Sequence, residues 1–587
     1  MWIQNFSSLE WKNFLPNPLK IYVSHLKLDG SIDLLGESQL VQTDICQLDV
    51  TSIGIIKRRQ QGTADKYTYN YFSMPVSQLS TVSNNLGDML SGMLKATGGN
   101  VQYSFTLNPP ATQTTPITLA SRWFYIFDNQ GASDITNWAQ IAPTDNVKAG
   151  LGFTMKGPGT GTVIDQYEYI FEGKPNNGDI SVALSTGNQV LVGNPYGSAL
   201  DANKFIDDNI GVSLPANNSI DGTLYFWEHF GGGTHLLKEY EGGYAVYTKA
   251  GGVIALQHPD LPNPLSPGGS KTPTQFIPVG QGFFVTADVD GGNVVFKNSQ
   301  RTFATEGSGN SVFTEAPKGR EIAALGLDTA QTTQTQATQT AVENLDGLLV
   351  RKAGQQAVTD TLRRVWINFI TPEKFRRQVL VAFTDKATAG EDRGYDALMI
   401  DKAPNDLYWK INNKDYIIQA VPPFDEQTVI PMETVITNAG QVKIELANTE
   451  NILDSQPIYL RVWNGAAFTY HNLKEEPFTE NLATGVFTDR YQITFGTNQT
   501  LSTDDNTLLD DGRILFANST NELIINNPKG EQIGAVKGYN MLGQLVYQTD
   551  VDTNQSTVSL PVSLTRGVYI FNIEIESQQI AKKIIKD

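Results

Sequence analysis

The sequence predicts an all-β protein, with several β-sandwich-like domains in series that end in a small Ig-like β-sandwich. Turn-forming residues recur at intervals of roughly 8 to 15 residues from Ile21 onward, a spacing typical of sandwiches rather than of βαβ units. The 587 residues include 52 Gly, 22 Tyr and 27 Phe; aromatic rings suit pleated strands, and glycine suits tight turns. No long apolar stripe of helical period is present. The best helix candidates are short, near Asn85–Lys95 and Ala202–Asp208.

A chain of 587 residues is too long for one hydrophobic core, and its length suggests about three or four domains. Breaks in composition separate the blocks. One break holds the tract TAQTTQTQATQT, which has no large apolar side chain to bury. The predicted order is a β-rich region with up to two subdomains at 1–300, a Gly/Ser/Thr/Gln-rich linker at 301–344, a β-sandwich domain at 345–498, an acidic linker at 499–512 and a terminal domain at 513–587.

The middle and last blocks show the clearest strand patterns. Pro422 and Pro423 end one strand of the middle block, because proline cannot donate to a ladder. In the last block, Gly543 supplies the positive φ of a tight turn. The predicted strands are Arg364–Phe369, Gln378–Phe383 and Tyr416–Val421 in the middle block, and 521–525, 534–539, 545–548, 557–560, 567–575 and 579–585 in the last.

Charge and composition exclude several classes of protein. A net charge of −18 argues against nucleic-acid binding, which needs a basic surface. The single cysteine, Cys46, excludes an intramolecular disulfide. No run of about 18 apolar residues is present, so we expect no transmembrane segment. The first residues lack the basic and apolar regions of a signal peptide, and we therefore expect either an N-terminally incomplete chain or a wrongly chosen start.

The last block contains four pieces in a fixed order: NELII from Asn521, VKGYNMLGQLVY from Val536, LP at Leu560 followed by RGVYIFNI from Arg566, and AKKIIK from Ala581. Together they resemble the type A C-terminal sorting domain of type IX secretion cargo from Bacteroidetes-type bacteria. The resemblance implies a recognition motif that comprises Leu523, Gly538, Gly543, Gly567, Tyr569 and Lys583.

The resemblance implies two partners, the type IX translocon and its sortase-like peptidase. It also implies cleavage within Thr497–Gly512, after which the cargo is released or attached to surface lipopolysaccharide. The expected location is secreted or on the outer cell surface. Upstream segments such as Gly193–Ala202 and Leu224–Phe230 are similar to non-enzymatic regions of large adhesin-like surface proteins. These regions imply no catalytic residue, so we expect a stalk-like protein that is not an enzyme.

One candidate metal site lies in WEHFGGGTHLLKEY, where Glu228, His229, His235 and Glu239 fall close together. Imidazole and carboxylate ligands at short range suit a divalent metal. The spacing does not match the zinc-protease pattern of two histidines four residues apart on a helix. The alternative is a hairpin with a Gly231–Gly233 turn, whose polar side chains face solvent or bond locally.

A second candidate is the acidic hairpin FTDKATAGEDRGYDAL, with Asp385, Glu391, Asp392 and Asp396. Carboxylates on a Gly-bearing loop suit calcium, although the spacing is not that of an EF-hand. The alternative is a structural turn in which Arg393 neutralises the acids. Apart from this calcium, the sequence implies no cofactor.

Two further patterns bear on the alternative functions. The loop from Lys156, KGPGTGT, lacks the Gly-Lys-Ser/Thr ending of a P-loop, and Pro158 removes one amide, so a glycine turn is favoured. A group of aromatic residues suits either a sugar-binding platform or strand packing: Tyr67, Tyr69, Tyr71, Phe72, Trp227 and Tyr240. The alternatives to a stalk are an exported carbohydrate-active or metal-dependent enzyme and a carbohydrate-binding module, each with its site in residues 1–300.

Overall fold

The computed structural model divides the chain into two compact units, Met1–Thr497 and Asn498–Asp587. The regular secondary structure of the described residues is almost entirely β-strand, which confirms the predicted fold class. The residues that the structure describes are 18, 20–48, 51–77, 88–89, 94–95, 104–110, 113, 116–131, 135–162, 165–212, 217–231, 234–236, 241–256, 269, 271–312, 360–465, 467–497, 514–517, 520–527, 530–540, 544–575 and 578–586.

In the described residues of the first part of unit 1, many short strands accompany one α-helix, α1 (Ala202–Asn209), and 3-10 turns at Ser121–Trp123, Ile135–Asn137 and Asn298–Gln300. Its strands are β1 Lys20–Leu26, β2 Ser31–Leu34, β3 Gln39–Leu48, β4 Ile55–Thr63, β5 Tyr69–Ser73, β6 Val76–Ser77, β7 Asp88–Met89, β8 Leu94–Lys95, β9 Ser104–Thr106, β10 Thr118–Ala120, β11 Tyr125–Ile126, β12 Gln130–Gly131, β13 Ala139–Gln140, β14 Asn146–Val147, β15 Gly152–Lys156, β16 Gln166–Pro175, β17 Ile180–Leu184, β18 Asn188–Gly193, β19 Ala199–Asp201, β20 Leu224–Gly231, β21 Glu241–Thr248, β22 Gly251–Val253, β23 Phe276–Ile277, β24 Gly282–Thr286, β25 Gly292–Phe296 and β26 Arg301–Thr302.

The second part of unit 1 is one large sheet, in which the strands follow the order β35-β34-β37-β32-β30-β31-β28-β27-β33-β36 and β29 pairs with β31. The strand β31 ends at Val421, directly before the two prolines, as the sequence predicts. The strands are β27 Arg363–Ile370, β28 Arg376–Phe383, β29 Ala397–Leu398, β30 Asn405–Ile411, β31 Lys414–Val421, β32 Val429–Ile436, β33 Gly440–Glu450, β34 Tyr459–Trp463, β35 Phe468–Asn472, β36 Phe478–Leu482 and β37 Gly485–Thr494.

Unit 2 contains a three-stranded sheet in the order β38-β39-β42 and a four-stranded sheet in the order β41-β40-β43-β44. Its apolar core includes the fully buried side chains of Leu523, Val536 and Phe571. The six strands predicted for this block are all present, with ends shifted by a few residues. The strands are β38 Ile514–Ala517, β39 Glu522–Asn526, β40 Ile533–Asn540, β41 Leu545–Thr553, β42 Thr557–Pro561, β43 Gly567–Ile575 and β44 Gln578–Lys586.

The two helix predictions had different outcomes. The helix near Ala202 is present, and the side chain of Asp201 caps it by accepting hydrogen bonds from the backbone N–H groups of Asn203 and Lys204, at 3.1 and 3.4 Å. The helix near Asn85–Lys95 was wrong for the residues described there, because β7 pairs with β14 and β8 pairs with β16. Pairing with distant strands overrides the local helical pattern.

Arg301 shows that the packed body extends past residue 300. Its guanidinium is buried and donates hydrogen bonds to the backbone carbonyl of Leu40 at 2.7 Å and to Gln42 Oε1 at 2.9 Å. It also lies 4.6 Å from the ring centroid of Tyr196. Residues 301–312, expected at the start of a linker, are therefore part of unit 1, because a buried arginine that is fully hydrogen-bonded anchors them. The Thr/Gln-rich tract 329–340 lies outside the described residues.

The large sheet is buried on both faces at β27. Val365, Ile367 and Phe369 point into the apolar core on one face of the large sheet. Trp366, between them, faces the first part of unit 1, and its Nε1 donates to the carbonyl of Gly252 at 2.8 Å. Because successive strand residues point to opposite faces, this burial requires that a second layer cover the sheet.

That second layer is supplied by the first part of the chain. One continuous apolar cluster, which we call the junction core, joins the two parts of unit 1. It includes Tyr71, Phe127, Leu191, Tyr225, Val246 and Phe284 from the first part, and Trp366, Leu380, Tyr408, Ile417 and Ile418 from the large sheet. Residues up to 312 and residues from 360 to 497 therefore form one packed body.

Candidate functional site

The residues predicted as a first metal site lie in different surroundings. Glu228 is buried in β20, where its Oε2 accepts a hydrogen bond from the backbone N–H of Lys271 at 3.3 Å. The ring of His229 packs at the edge of Trp227. His235 contacts a different group of residues, described below. Glu239 lies outside the described residues.

The acidic hairpin uses its carboxylates as acceptors for the protein itself. Asp396 is buried and accepts hydrogen bonds from the backbone N–H groups of Asp392 and Ala420, both at 2.6 Å. Asp392 accepts from the backbone N–H of Thr388 at 2.5 Å. Burial raises the pKa of Asp396 to about 7, although the two backbone hydrogen bonds favour its charged form.

The two remaining acids of this hairpin are exposed and pair with lysines. Glu391 lies 3.0 Å from Lys414, and Asp385 lies 3.7 Å from Lys386. Arg393, expected to neutralise the acids, instead donates to the carbonyl of Ile220 at 3.0 Å from its Nε. Within the described ranges, no group of three His, Cys, Asp or Glu side chains is arranged to hold a metal ion. Both metal sites, including the calcium site, stay predictions.

A different group of side chains comes together where β5 pairs with β15. Lys156, the last residue of β15, lies opposite Tyr69, the first residue of β5. Its Nζ lies 4.7 Å from the ring centroid of Tyr69 and 4.1 Å from that of Trp123. Thr154 Oγ1 donates to the carbonyl of Trp123 at 3.2 Å, which holds the 3-10 turn of the tryptophan against β15. Cation–π contacts of this kind stabilise the charged amine.

His235 completes this group, which we call the lysine–aromatic cluster: Tyr67, Tyr69, Trp123, Lys156 and His235. The imidazole Nδ1 lies 3.2 Å from Lys156 Nζ. The ring stacks on Trp123 with centroids 4.8 Å apart, and it lies 4.7 Å from the centroid of Tyr67. Because an ammonium group only donates, Nδ1 is the acceptor when Lys156 is charged.

Burial favours the neutral forms of both bases, and repulsion by nearby cations adds to this effect for His235. Burial lowers the pKa of Lys156 to about 7, and the charge of Asp65 opposes this shift. Burial also lowers the pKa of His235 to about 4, with further lowering by Lys156, Lys66 and Arg122. At pH 7 the imidazole is therefore neutral, whereas the amine exchanges between its charged and neutral forms.

A small open cleft adjoins the lysine–aromatic cluster. Its volume is about 40 Å³, and Trp123 forms one wall. Pro109, Pro110 and Pro158 supply further apolar walls, while Lys66 and Gln113 supply polar groups at the same cleft. The cleft is far smaller than the roughly 300–1,000 Å³ of an enclosed ligand site, so a bound molecule would lie mostly across its open mouth.

The glycine-rich loop after Lys156 lies beside this cleft and is a turn, as the sequence favours. The backbone N–H groups of Gly159 and Thr160 donate to the carbonyl of Ala64 at 2.8 and 3.2 Å. The N–H of Gly157 donates to the carbonyl of Thr68 at 3.3 Å. A Cβ at Gly157 would lie 2.4 Å from the carbonyl oxygen of Asp65, so the close approach of the two backbones requires glycine. These amides are already used within the protein and do not form a phosphate cradle.

The aromatic residues singled out from the sequence divide between two roles. Phe72 is fully buried and packs against Tyr169 and Phe171. Tyr71 and Trp227 stack in the junction core with centroids 6.1 Å apart. Tyr67 and Tyr69 belong to the lysine–aromatic cluster, and Tyr240 lies outside the described residues. Sequence reasoning missed Trp123 as a site residue, because only the β5–β15 pairing and the turn beside it bring that ring to Lys156.

Unit 2 places most of the predicted sorting motif in its sheets. Leu523 is fully buried in β39, and Gly538 lies in β40 beneath the ring of Phe571. A Cβ at Gly538 would lie 2.7 Å from that ring, so a side chain at this position would displace Phe571 from the core.

Three further motif positions lie on β43 and β44. Gly567 begins β43, and the hydroxyl of Tyr569 donates to the carbonyl of Thr565 at 2.9 Å, which fixes the entry to this strand. Lys583 lies in β44 opposite Ile570. Gly543 lies outside the described residues.

Comparisons with known proteins agree with the division of the chain into two units. A family described as "Domain of unknown function (DUF8693)" matches residues 17–343 and again residues 338–495. The family described as "Secretion system C-terminal sorting domain" matches residues 518–587, which confirms the predicted sorting domain. No curated protein matches the chain. A solved structure titled "Biofilm associated protein - BSP domain" aligns over 99% of each chain at 9% identity, with a TM-score of 0.12, too low to support any argument.

The sorting domain identifies the chain as cargo of the type IX secretion system, directed to the cell surface or the extracellular space. Among the described residues, no helix is both long enough and apolar enough to cross a membrane. The two matches to the first family together span residues 17–495. The chain therefore belongs to the family described as "Domain of unknown function (DUF8693)", and it carries a secretion system C-terminal sorting domain at its end.

Proposed function

We propose that this chain is a non-enzymatic, adhesin-like protein that acts outside the cell by binding. The observation that supports the proposal best is that two buried acidic residues of unit 1 bond to the protein backbone. Glu228 and Asp396 each accept hydrogen bonds from backbone N–H groups, which is a structural role. A buried carboxylate held in this way maintains the fold and is poorly placed to transfer protons to a substrate.

A binding role also suits the construction of unit 1. The junction core joins its two parts into one packed body, and the lysine–aromatic cluster lies beside an open cleft in that body. A rigid body that presents fixed aromatic and cationic groups binds with little loss of conformational freedom.

The test of this function compares binding with turnover. We expect the full chain, displayed on cells, to increase their adhesion to glycan-coated or cell-coated surfaces. We also expect the purified full chain to release no product from polysaccharides or peptides, with or without added Ca²⁺ or Zn²⁺. Release of sugars or peptides would contradict the proposal in favour of an exported carbohydrate-active or metal-dependent enzyme.

Delivery is tested separately. We expect deletion of residues 513–587 to abolish export while the upstream body stays folded, and restoring the same residues at the new C-terminus to recover export. Full surface delivery of the truncated chain would contradict the role of the sorting domain in this protein.

We further propose that a sortase-like peptidase cuts within Thr497–Gly512 and that the mature protein is released or attached to lipopolysaccharide. The acidic, turn-rich composition of this stretch supports the proposal. Mass spectrometry of the exported protein gives the cut position and any lipopolysaccharide adduct. A mature protein that retains residues 513–587 would contradict cleavage.

A further inference from the structure

The lysine–aromatic cluster and the adjoining cleft combine three chemical features at one place. The cleft has rigid apolar walls formed by Trp123 and three prolines. It has a lysine at its rim, Lys66, whose Nζ also lies 5.2 Å from the ring centroid of Tyr67. Directly behind Trp123 lies the amine of Lys156.

Positive charge is concentrated at this site although the whole chain carries a net charge of −18. Lys66, Arg122 and Lys156 all lie close enough to His235 to lower its pKa through charge repulsion. Asp65, the acid whose charge acts on Lys156, is held by the protein: its Oδ2 accepts hydrogen bonds from the backbone N–H groups of Tyr67 and Thr68 and from Thr68 Oγ1, at 2.9, 3.0 and 2.9 Å. The site therefore favours an anionic ligand.

The apolar walls and the glycine-rich loop narrow the class of anion. A small inorganic anion or a phosphate group would need convergent N–H donors, but the N–H groups of Gly157, Gly159 and Thr160 already bond to backbone carbonyls. A ligand with both an apolar face and a carboxylate suits these walls and Lys66 together. A sugar ring offers C–H groups on its face, and a uronic acid adds the carboxylate.

We infer that the cleft beside the lysine–aromatic cluster binds an acidic saccharide, with a sugar face on Trp123 and its carboxylate toward Lys66. This inference rests on the proposed binding function and specifies its ligand class. It assigns Trp123 and Lys66 as ligand-contacting residues and Tyr67, Tyr69 and His235 as the groups that position Trp123 and Lys156.

The experiment measures binding of the purified full chain by calorimetry, with oligogalacturonate as the acidic probe and a galactose oligosaccharide of equal length as the neutral one. Inorganic phosphate and sulfate serve as probes for simple anion binding. We expect binding of oligogalacturonate only, weakened by added salt because the contact is partly between charges.

Two variants test the residues that we assign as ligand contacts. We expect Lys66→Gln and Trp123→Ala each to weaken oligogalacturonate binding by at least about tenfold. Lys66 is partly exposed and its replacement leaves the core intact. The matched controls are Trp463→Ala and Lys414→Gln in the large sheet, which we expect to leave the affinity unchanged. Near-UV circular dichroism verifies that each variant is folded.

Several outcomes would overturn the inference. These are equal binding of the neutral probe, binding of phosphate or sulfate as tight as that of oligogalacturonate, no binding at millimolar concentration, or full affinity in Lys66→Gln. If displayed cells still adhere in the absence of oligogalacturonate binding, the inference fails while the proposed function stands. Product release from any polysaccharide would instead overturn the proposed function.

Discussion

Individual charged residues decide much of the stability of unit 1 because several of them are buried. Arg377 is the clearest case. Its Nε and Nη2 donate to the two carboxylate oxygens of Asp406, both at 2.8 Å, and the side chains of both residues are almost fully buried. Asp401 adds a third contact at 3.1 Å. Removing the cation leaves buried negative charge without compensation, which is far more costly than the pair is stabilising.

We predict that Arg377→Met lowers the free energy of unfolding of unit 1 by about 3–5 kcal/mol. The measurement is calorimetric unfolding of the full chain, followed through the transition of unit 1. The control is Lys386→Met, which breaks an exposed contact of 3.7 Å with Asp385 and should change stability by less than about 1 kcal/mol. A similar small effect of both variants would show that Asp406 is solvated.

The raised pKa of Asp396 makes the stability of unit 1 depend on pH, with less stability as the pH rises. Burial raises its pKa to about 7, above the value of 3.8 expected in an unfolded chain, and the neighbouring acids Asp392 and Glu391 act in the same direction. The folded state therefore holds this proton more tightly. Its stabilising contribution is present at low pH and is lost as the pH rises through about 7.

We predict that Asp396→Asn makes the unfolding free energy of unit 1 less sensitive to pH between 5 and 8. One carboxyl contributes at most about 1.4 kcal/mol per pH unit, so urea unfolding at four pH values resolves the difference. Asp385→Asn, an exposed acid of the same hairpin, is the control. An unchanged slope in Asp396→Asn would contradict the assignment.

At the scale of strands and turns, local sequence pattern was informative where one face of a strand is buried. In the sorting domain the side chains of β39 alternate between buried and partly buried, and the strands were predictable within a few residues. The pattern failed at Asp88–Met89 and Leu94–Lys95, the described residues of the predicted helix near Asn85–Lys95, which pair with distant strands. Both faces of β27 are buried, and nothing in that segment alone reveals which partner covers Trp366.

The contact between β40 and β43 gives an element-scale prediction. We expect Gly538→Ala to destabilise unit 2 by about 1–3 kcal/mol, because the new Cβ would lie 2.7 Å from the buried ring of Phe571. Export of the full chain should fall in parallel, as measured by the secreted fraction.

The matched control is Gly567→Ala in β43. There the nearest atom, on the ring of Tyr569, would lie 3.5 Å from the new Cβ, an ordinary contact. We expect this variant to fold and be exported normally. Loss of export in Gly567→Ala without loss of stability would instead point to direct reading of that position by the translocon.

At the scale of the whole chain, the junction core makes unit 1 one body although its sequence suggests separate blocks. Composition marks the boundary between the blocks, but it carries no signal for the apolar faces that meet across it. The lysine–aromatic cluster was unpredictable for the same reason. Trp123, Lys156 and His235 come from three separate segments, and only strand pairing and packing bring them together.

We predict that a protease site inserted in the tract 329–340 allows cleavage into two fragments that stay associated. The junction core buries Trp366, Leu380 and Ile418 against the first part of the chain, and separation would expose this apolar surface to water. Size-exclusion chromatography measures co-elution, and Trp366→Ala should weaken the association. Separate elution of the cleaved fragments would show that the two parts are independent.

The hydrogen bond from Arg301 to Leu40 cannot form until both residues have been synthesised. It joins residues that are 261 positions apart, and synthesis at about 5–20 residues per second takes on the order of 13 to 50 s to cover that distance. During this interval β1 to β3 lack the residues that complete their packing. Contacts of such long range also slow folding after synthesis. Because the sorting domain at residues 518–587 is synthesised after Arg301, both partners of this contact exist before the export signal has been made.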